Sequence, residues 1–280
     1  MRVVRAAYAG ACYGVQRALD LALKAVEDGG RAYTLGPLIH NPQVVAQLAE
    51  CGVRAVDSVE DVAGAGTVVI RSHGVTPEVK RSVAACGLPL VDATCPHVAR
   101  AQRAAADLAE QGRHVVVVGE EGHPEVEGLV ACAREAGAPV SVVAGPDDLP
   151  ETLEGPVGVV VQTTQTREAL DAVVAALEER GVQLLVKNTI CFATRQRQEA
   201  AAALAGEVDA MVVIGGRNSS NTTRLADICA AACSRTHHVE SPDEIDPAWL
   251  AGCAVVGVTA GASTPEEQIE ACLLYTSRCV

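Results

Sequence analysis

The stretch Leu90-Val91-Asp92-Ala93-Thr94-Cys95-Pro96 is typical of a short buried strand that passes through a cysteine into a helix. Two other segments follow the same plan, residues 10–15 around Cys12 and residues 184–192 around Cys191. The three cysteines divide the chain into comparable parts. We therefore predict three equivalent units, each of which contributes one thiol at the junction between a strand and a helix.

Strand, short loop and helix alternate along the whole chain. The predicted strands, such as residues 157–162 and 210–214, are continuous valine-rich runs, as expected when a strand is buried on both faces. This pattern predicts an α/β fold of three pseudo-equivalent small parallel domains. The predicted domains are residues 1–95 with Cys12, His40, His73 and Cys95, residues 96–190 with His123, Glu125 and Thr163, and residues 191–280 with Cys191, Ser219, Ser220, Asn221 and Ser263.

The C-terminus departs from the pattern. A helix begins at about residues 264–270, and the sequence from Leu273 to Val280 lacks helical periodicity. We interpret residues 272–280 as a non-native ending, and we exclude Cys272 and Cys279 from the chemistry.

Composition limits the functional classes. The chain has 280 residues, is 49% hydrophobic and carries a formal net charge of −13, which argues against non-specific binding of nucleic acid. No apolar run is long enough to cross a membrane, and the N-terminus lacks the features of a signal peptide. The 11 cysteines are scattered and odd in number, so a disulfide framework is not expected. These features predict a cytoplasmic protein that binds neither membrane nor nucleic acid.

The placement of Cys12, Cys95 and Cys191 favours metal binding. A thiol at a helix N-terminus is stabilised as the thiolate, which is the form that binds metal. Three thiolates and one open position suit an iron–sulfur cluster that binds substrate at its unligated iron. Spacing alone does not distinguish such a cluster from a three-cysteine zinc site, although the absence of a CxxC pair disfavours a zinc knuckle.

Polar residues at other strand and helix ends predict an anion site. His40, His73 and His123 lie in segments flanked by glycine or proline, where they can donate to an anion. The run Ser219-Ser220-Asn221 opens a predicted helix and offers hydroxyls, an amide and backbone N–H groups to a phosphate. Ser263 adds a further hydroxyl after the last strand. Read singly, a histidine of this kind is more often a surface or satisfied residue than a ligand-binding one. The serine run, read alone, is equally consistent with an ordinary helix cap.

Glu125 is the predicted acid. It lies two residues after His123 in a segment that we interpret as a rigid loop, and it could protonate a departing hydroxyl. Thr163 ends a predicted strand, and its hydroxyl could orient that leaving group. We assign catalytic roles to Glu125, Thr163 and His123.

With these residues assembled, the chain resembles the 4-hydroxy-3-methylbut-2-enyl diphosphate reductase family, also called LytB or IspH. The resemblance extends from residue 9 to residue 264. The matching stretches are residues 9–18, 39–42, 71–75, 91–96, 122–128, 162–166, 190–194, 216–221 and 258–263.

The resemblance implies a trefoil of three α/β domains around one [4Fe-4S] cluster per chain, held by Cys12, Cys95 and Cys191, with one iron not ligated by protein. It further implies that the substrate hydroxyl binds the open iron, with Thr163 and Glu125 in the proton-delivery network. Two electrons, from reduced ferredoxin or flavodoxin, and a proton would then remove the hydroxyl as water, and a second proton would add to the resulting allyl anion. The expected products are isopentenyl and dimethylallyl diphosphate, in the last step of the methylerythritol phosphate pathway. The residues that would hold the diphosphate are His40, His73, His123, Ser219, Ser220, Asn221 and Ser263, and Thr163 would also bind the substrate.

Three alternatives remain open at this point. A non-redox hydro-lyase acting on a small phosphorylated substrate could use the open iron as a Lewis acid. An iron–sulfur sensor would not need the set of anion donors. A zinc hydrolase could use Glu125 as its base.

Overall fold

The computed structural model describes residues 1–62, 64 and 66–278. The strands are β1 (Arg2–Arg5), β2 (Ala32–Leu35), β3 (Val53–Val56), β4 (Thr67–Ile70), β5 (Leu90–Asp92), β6 (His114–Val118), β7 (Val140–Val143), β8 (Val157–Val161), β9 (Leu184–Lys187), β10 (Ala210–Ile214), β11 (Thr236–Val239) and β12 (Val255–Ala260). The helices are α1 (Tyr13–Gly29), α2 (Pro42–Glu50), α3 (Pro77–Ala85), α4 (Pro96–Glu110), α5 (Pro124–Glu135), α6 (Arg167–Glu179), α7 (Phe192–Ala205), α8 (Ser220–Ala232) and α9 (Glu266–Arg278).

The described strands form three parallel sheets of four strands each, which confirms the predicted α/β class. The strand orders are β3-β2-β4-β5, β7-β6-β8-β9 and β11-β10-β12-β1. The three sheets share one topology, and in each the edge strand named last leads through a cysteine into the next helix. The prediction that Cys12, Cys95 and Cys191 occupy equivalent strand-to-helix junctions is therefore confirmed.

The first strand belongs to the sheet of the C-terminal third. β1 lies within the predicted domain 1–95, but it pairs in parallel with β12, with Arg2 opposite Val255. The third sheet is completed by the start of the chain, so the repeat is circularly shifted relative to the sequence. Strand pairing depends on long-range contacts, which local periodicity does not reveal. The division into three domains stays a prediction. Its boundaries at 95 and 190 fall between the sheets, and only β1 lies in a sheet other than that of its predicted domain.

Valine-rich central strands form the cores. Val115–Val118 of β6 and Val159–Val161 of β8 are fully buried between helices on both faces of their sheet. Continuous apolar sequence is needed because both faces of such a strand are covered. This burial holds the carboxyl ends of the strands, and the loops that follow them, in fixed positions.

Several elements were not predicted. β2, β3 and β11 are short, and the sequences of β2 and β11 are interrupted by polar residues. Helix α5 begins directly after His123, so the prediction that Glu125 lies in a loop is wrong. Proline in the first helical position with acidic residues in the first turn is a helix-start signal that the strand pattern before it obscured.

The C-terminal helix is longer than predicted. α9 continues to Arg278, so the prediction that helical structure stops at Leu273 is wrong. Ile269, Cys272 and Thr276 are fully buried on one face, and the Thr276 hydroxyl donates to the carbonyl of Cys272 at 2.7 Å. Because this bond satisfies the buried hydroxyl, a threonine can continue the apolar face. Cys279 and Val280 lie outside the described residues.

Contacts divide the chain into two units. One comprises Met1–Gln16, His40–Val44 and Phe192–Val280, and the other comprises Arg17–Ile39 and Val45–Cys191. Within the described residues, no helix combines the length and the apolar character needed to cross a membrane.

Candidate functional site

The turn that carries Cys12 is bound to the loop after β12. The Cys12 N–H donates to the carbonyl of Ala262 at 3.1 Å, and the Gly10 N–H donates to that of Ala260 at 3.2 Å. Gly10 has a φ of +94°, and a Cβ atom there would lie 2.6 Å from the side chain of Ile269. Only glycine fits this position without rearrangement. The first cysteine thus lies next to the loop that contains Ser263.

The N-terminus of α8 forms a polar site in the same unit. Ser219 caps the helix, and its hydroxyl oxygen accepts from the N–H of Thr222 at 3.4 Å. Ser219, Ser220 and Asn221 are all buried, which confirms that this run opens a helix. The Asn221 side chain is 4% exposed, and neither Nδ2 nor Oδ1 has a hydrogen-bond partner among the described residues. A buried amide of this kind, at a helix N-terminus, suits an anionic ligand.

Two further predicted residues lie close to this helix end. The Ser263 hydroxyl donates to the carbonyl of His40 at 3.1 Å. A Cβ atom on Gly216, in the loop before α8, would lie 2.7 Å from the same carbonyl oxygen. Glycine therefore allows the backbone of the His40 turn to approach the α8 loop. His40, Ser263 and the start of α8 are brought together in one unit.

Asn41 holds this arrangement in place, and the sequence analysis did not identify it. It is 1% exposed, and its Nδ2 donates to the Ser263 carbonyl at 3.0 Å and to Oε1 of Gln268 at 2.9 Å. Its Oδ1 accepts from the N–H groups of Gln43 and Val44 at the start of α2. The signal was available, because asparagine followed by proline is a common helix start.

In the second unit, Glu125 and Thr163 form a buried pair. Oε1 of Glu125 accepts from the Thr163 N–H at 2.6 Å, and Oε2 accepts from the Thr163 hydroxyl at 2.8 Å. Glu125 is 1% exposed, and burial raises its pKa to about 7, against the smaller opposing effect of the Thr163 donors. A carboxyl group with this pKa is partly protonated at neutral pH and can act as a general acid.

The geometry also indicates which carboxyl oxygen can pass on a proton. A backbone N–H cannot accept a hydrogen bond, so Oε1 acts only as an acceptor towards Thr163. Oε2 lies 2.8 Å from the Thr163 hydroxyl, which can both donate and accept, so a proton on Oε2 of the neutral acid can be donated to this hydroxyl.

His123 caps α5 and is held next to His73. Its Nδ1 accepts from the Glu125 N–H at 3.1 Å, so this nitrogen carries no proton. A neutral ring then has its proton on Nε2, which makes this nitrogen the donor of the ring. The His73 and His123 rings pack edge to face with centroids 5.7 Å apart. The structure thus brings both predicted histidines and Glu125 together.

The other two cysteines lie in this unit. The Cys191 N–H donates to the carbonyl of Thr163 and the Cys95 N–H to that of Ser72, each at 2.9 Å. Cys95 directly precedes α4, and Cys191 directly precedes α7. Each thiol therefore stands at a helix N-terminus, as predicted, and Cys191 neighbours the acid pair.

The chemistry of the three thiols fits a metal cluster better than that of the remaining cysteines. Cys12, Cys95 and Cys191 are half-buried and form no disulfide. In contrast, burial raises the pKa of both Cys229 and Cys272 to about 12, which keeps those thiols protonated. In the part of the chain that the structure describes, no three histidine, cysteine or acidic side chains are grouped around one metal ion. A cubane cluster distributes its thiolates over separate irons, so this observation concerns single ions.

The fold and these residues define a class of α/β protein with three equivalent parallel sheets, a thiol after the edge strand of each, and a buried polar helix N-terminus at α8. The chain belongs to the LytB protein family, whose model matches residues 3–276. The resemblance inferred from the sequence motifs is thereby confirmed.

Similar proteins carry a consistent name. A 4-hydroxy-3-methylbut-2-enyl diphosphate reductase of Citrifermentans bemidjiense is 51% identical over 95% of this chain and 93% of the relative. One of the same name from Geobacter sp. strain M21 is 50% identical, with the same coverage.

Solved structures agree in fold. A structure of (E)-4-hydroxy-3-methyl-but-2-enyl diphosphate reductase, described as the terminal enzyme of the non-mevalonate pathway, is 41% identical and matches with a TM-score of 0.73 over 99% of this chain and all of that one. The E-1-hydroxy-2-methyl-but-2-enyl-4-diphosphate reductase of Plasmodium falciparum matches with a TM-score of 0.87 at 22% identity, over 96% of this chain and 86% of that one. The second match supports the fold alone.

Proposed function

We propose that this chain reduces 4-hydroxy-3-methylbut-2-enyl diphosphate to isopentenyl and dimethylallyl diphosphate, as a LytB-family oxidoreductase. The observation that carries the proposal is the Glu125–Thr163 pair, a buried acid with a pKa of about 7 that is hydrogen-bonded to a threonine hydroxyl. Relatives with this name match nearly the full length of the chain, which supports the substrate assignment.

Family membership implies an iron–sulfur cofactor, and Cys12, Cys95 and Cys191 would hold it as a [4Fe-4S] cluster with one iron free of protein ligands. When bound, the cluster would supply two electrons from a reduced ferredoxin or flavodoxin and a Lewis-acidic iron. The thiols suit this role because each lies at a helix N-terminus, where the dipole favours the thiolate.

The polar residues of the first unit would bind the diphosphate. The α8 N-terminus presents backbone N–H groups together with Ser219, Ser220 and the Asn221 amide. The buried Asn221 amide has no hydrogen-bond partner among the described residues, and its burial therefore costs free energy. A bound diphosphate would supply a partner for its Nδ2 and offset this cost. The other residues proposed to donate to the diphosphate are His40, Ser263, His73 and His123.

Glu125 and Thr163 would protonate the leaving group. The allylic C–O bond breaks as two electrons enter the substrate, and the hydroxyl departs as water after taking a proton through Thr163 Oγ1. Thr163 replaces that proton from Oε2 of Glu125. A second proton adds to carbon and completes either product. The Nε2–H of His123 would orient the substrate next to this pair. We place the protein in the cytoplasm, where the soluble electron donors are found.

The test is anaerobic oxidation of a reduced viologen by the reconstituted protein, with and without 4-hydroxy-3-methylbut-2-enyl diphosphate. Substrate-dependent oxidation that yields both C5 diphosphates supports the reductase. Consumption of substrate without viologen oxidation would instead indicate the hydro-lyase. No reaction from protein with an intact cluster would overturn the proposed substrate.

A further inference from the structure

Two arginines each connect the helix after one cysteine to the turn before another. Arg17 lies in the second turn of α1, the helix that follows Cys12. Its Nη1 donates to the carbonyl of Thr94 at 3.2 Å and its Nη2 to that of Asp92 at 3.4 Å. Thr94 directly precedes Cys95, so the helix after the first cysteine holds the turn of the second.

Arg197 repeats this relationship in the other unit. It lies in the second turn of α7, the helix that follows Cys191. Its Nε and Nη2 donate to the carbonyl of Gly10 at 3.0 and 2.7 Å, and its Nη1 donates to that of Ala193 at 2.8 Å. Gly10 adopts a positive φ and leads into Cys12. The guanidinium therefore holds the entry to the Cys12 turn with two hydrogen bonds to one carbonyl oxygen.

Arg197 carries its positive charge in the protein interior. The residue is 7% exposed, and burial of a positive charge is unfavourable unless it is compensated. The carbonyls of Gly10 and Ala193 contribute partial negative charge, and a thiolate-ligated cluster would add net negative charge next to the Cys12 turn. The cluster would therefore stabilise this guanidinium further, and the guanidinium would stabilise a more negative cluster.

We propose that Arg17 and Arg197 are positioning residues that hold the Cys95 and Cys12 turns in the geometry for cluster binding and favour the reduced, more negative cluster. This inference rests on the proposed cluster function. Neither arginine is proposed to contact the substrate. Each would affect the cluster through its hydrogen bonds to the backbone that precedes a cysteine. The planar guanidinium of Arg197 donates from both Nε and Nη2 to the Gly10 carbonyl. A lysine at this position would keep the positive charge but could not make this pair of hydrogen bonds.

The chain offers matched controls. Arg195 lies on α7 two residues before Arg197, is exposed, and pairs with Glu199 at 3.5 Å. Arg100 occupies on α4, after Cys95, the place that Arg17 occupies on α1, and it is exposed. Replacement of either control removes the same charge from the same type of helix without removing a hydrogen bond to the backbone before a cysteine. Arg195 also lies 5.2 Å from the centroid of the Phe192 ring, next to Cys191, so Arg100 is the stricter control.

The experiment compares Arg17→Gln, Arg197→Gln and Arg197→Lys with Arg100→Gln and Arg195→Gln, all reconstituted anaerobically. We would measure the rate of iron loss to a ferrous chelator and the cluster reduction potential by a titration monitored by electron paramagnetic resonance. Each glutamine variant at 17 or 197 should lose iron about 10-fold faster than wild type and have a more negative potential. Arg197→Lys keeps the positive charge, so its reduction potential should lie close to that of wild type. Its rate of iron loss should remain higher than that of wild type, because lysine cannot make the two hydrogen bonds to Gly10.

Wild-type iron loss and potential in both glutamine variants would overturn the positioning role. Equal effects from the control variants would also overturn it, because they would indicate a general response to lost charge. If Arg197→Gln does not fold, Arg17→Gln, at a half-buried position, decides the question. Failure of the wild-type protein to take up a cluster would be a separate result, and it would overturn the proposed function itself.

Discussion

The backbone N–H of Cys191 donates to the carbonyl oxygen of Thr163 at 2.9 Å. The two residues follow neighbouring parallel strands, since β8 pairs with β9 and Val157 lies opposite Leu184. The hydrogen bond continues this pairing beyond the strands. A candidate cluster ligand and the partner of the buried acid are thus held in one rigid strand-end structure, which suits a reaction that couples electron and proton delivery.

Glu125→Gln should retain the cluster and substrate binding while lowering turnover by a factor on the order of 10² to 10⁴. Glutamine keeps the shape and can still accept from the Thr163 N–H, but it has no acidic proton. Steady-state viologen oxidation gives kcat, and the visible spectrum reports the cluster. Glu127→Gln, at an exposed position of the same helix, is the control. Unchanged kcat in Glu125→Gln would remove this residue from the mechanism.

Stability should depend on pH through Glu125. Burial raises its pKa from 4.5 to about 7, so between these values the native protein holds a proton that the unfolded chain releases. This contribution to the free energy of unfolding is present at low pH and is lost as pH rises from about 4.5 to about 7. Relative to that of Glu125→Gln, the free energy of unfolding of the wild-type protein should fall by about 3 kcal/mol across this range. Urea denaturation of both proteins at pH 4.5 and 8 measures it; parallel pH profiles would contradict the expectation.

Asn221→Ala should raise the KM for the diphosphate substrate on the order of 10-fold or more, because an amide bound to a charged group contributes about 1.5–3 kcal/mol. The melting temperature of the ligand-free protein should not fall, since the buried amide has no partner among the described residues. Asn218→Ala, in the exposed loop before α8, should change neither quantity. A lower melting temperature with an unchanged KM would show that Asn221 has a structural role.

Replacement of any one of Cys12, Cys95 and Cys191 by alanine should abolish stable cluster binding, because three thiolates are the minimum proposed set. Cys86→Ala removes an exposed thiol at the C-terminal end of α3 and serves as the control. Iron and sulfide content after anaerobic reconstitution provides the measurement. A Cys95→Ala protein with the full wild-type iron content would contradict the assignment.

The local sequence determined much of this protein. Valine-rich runs predicted the buried parallel strands, because a strand covered on both faces must be apolar throughout. The residues around Cys12, Cys95 and Cys191 predicted three equivalent strand-to-helix junctions, and Ser219 predicted a helix start, because both signals depend only on neighbouring residues. The family resemblance came from the same short motifs.

Tertiary structure decided the rest. The pairing of β1 with β12 joins the two ends of the chain, and no local pattern encodes such a contact. The acidity of Glu125 depends on its burial against Thr163, since desolvation is a property of the packed interior rather than of the residue type. The bonds from Arg17 to Thr94 and from Arg197 to Gly10 likewise join residues distant in sequence. Residue type and spacing determine which groups are available, whereas their charge state and partners arise only when folding removes water and brings distant segments together.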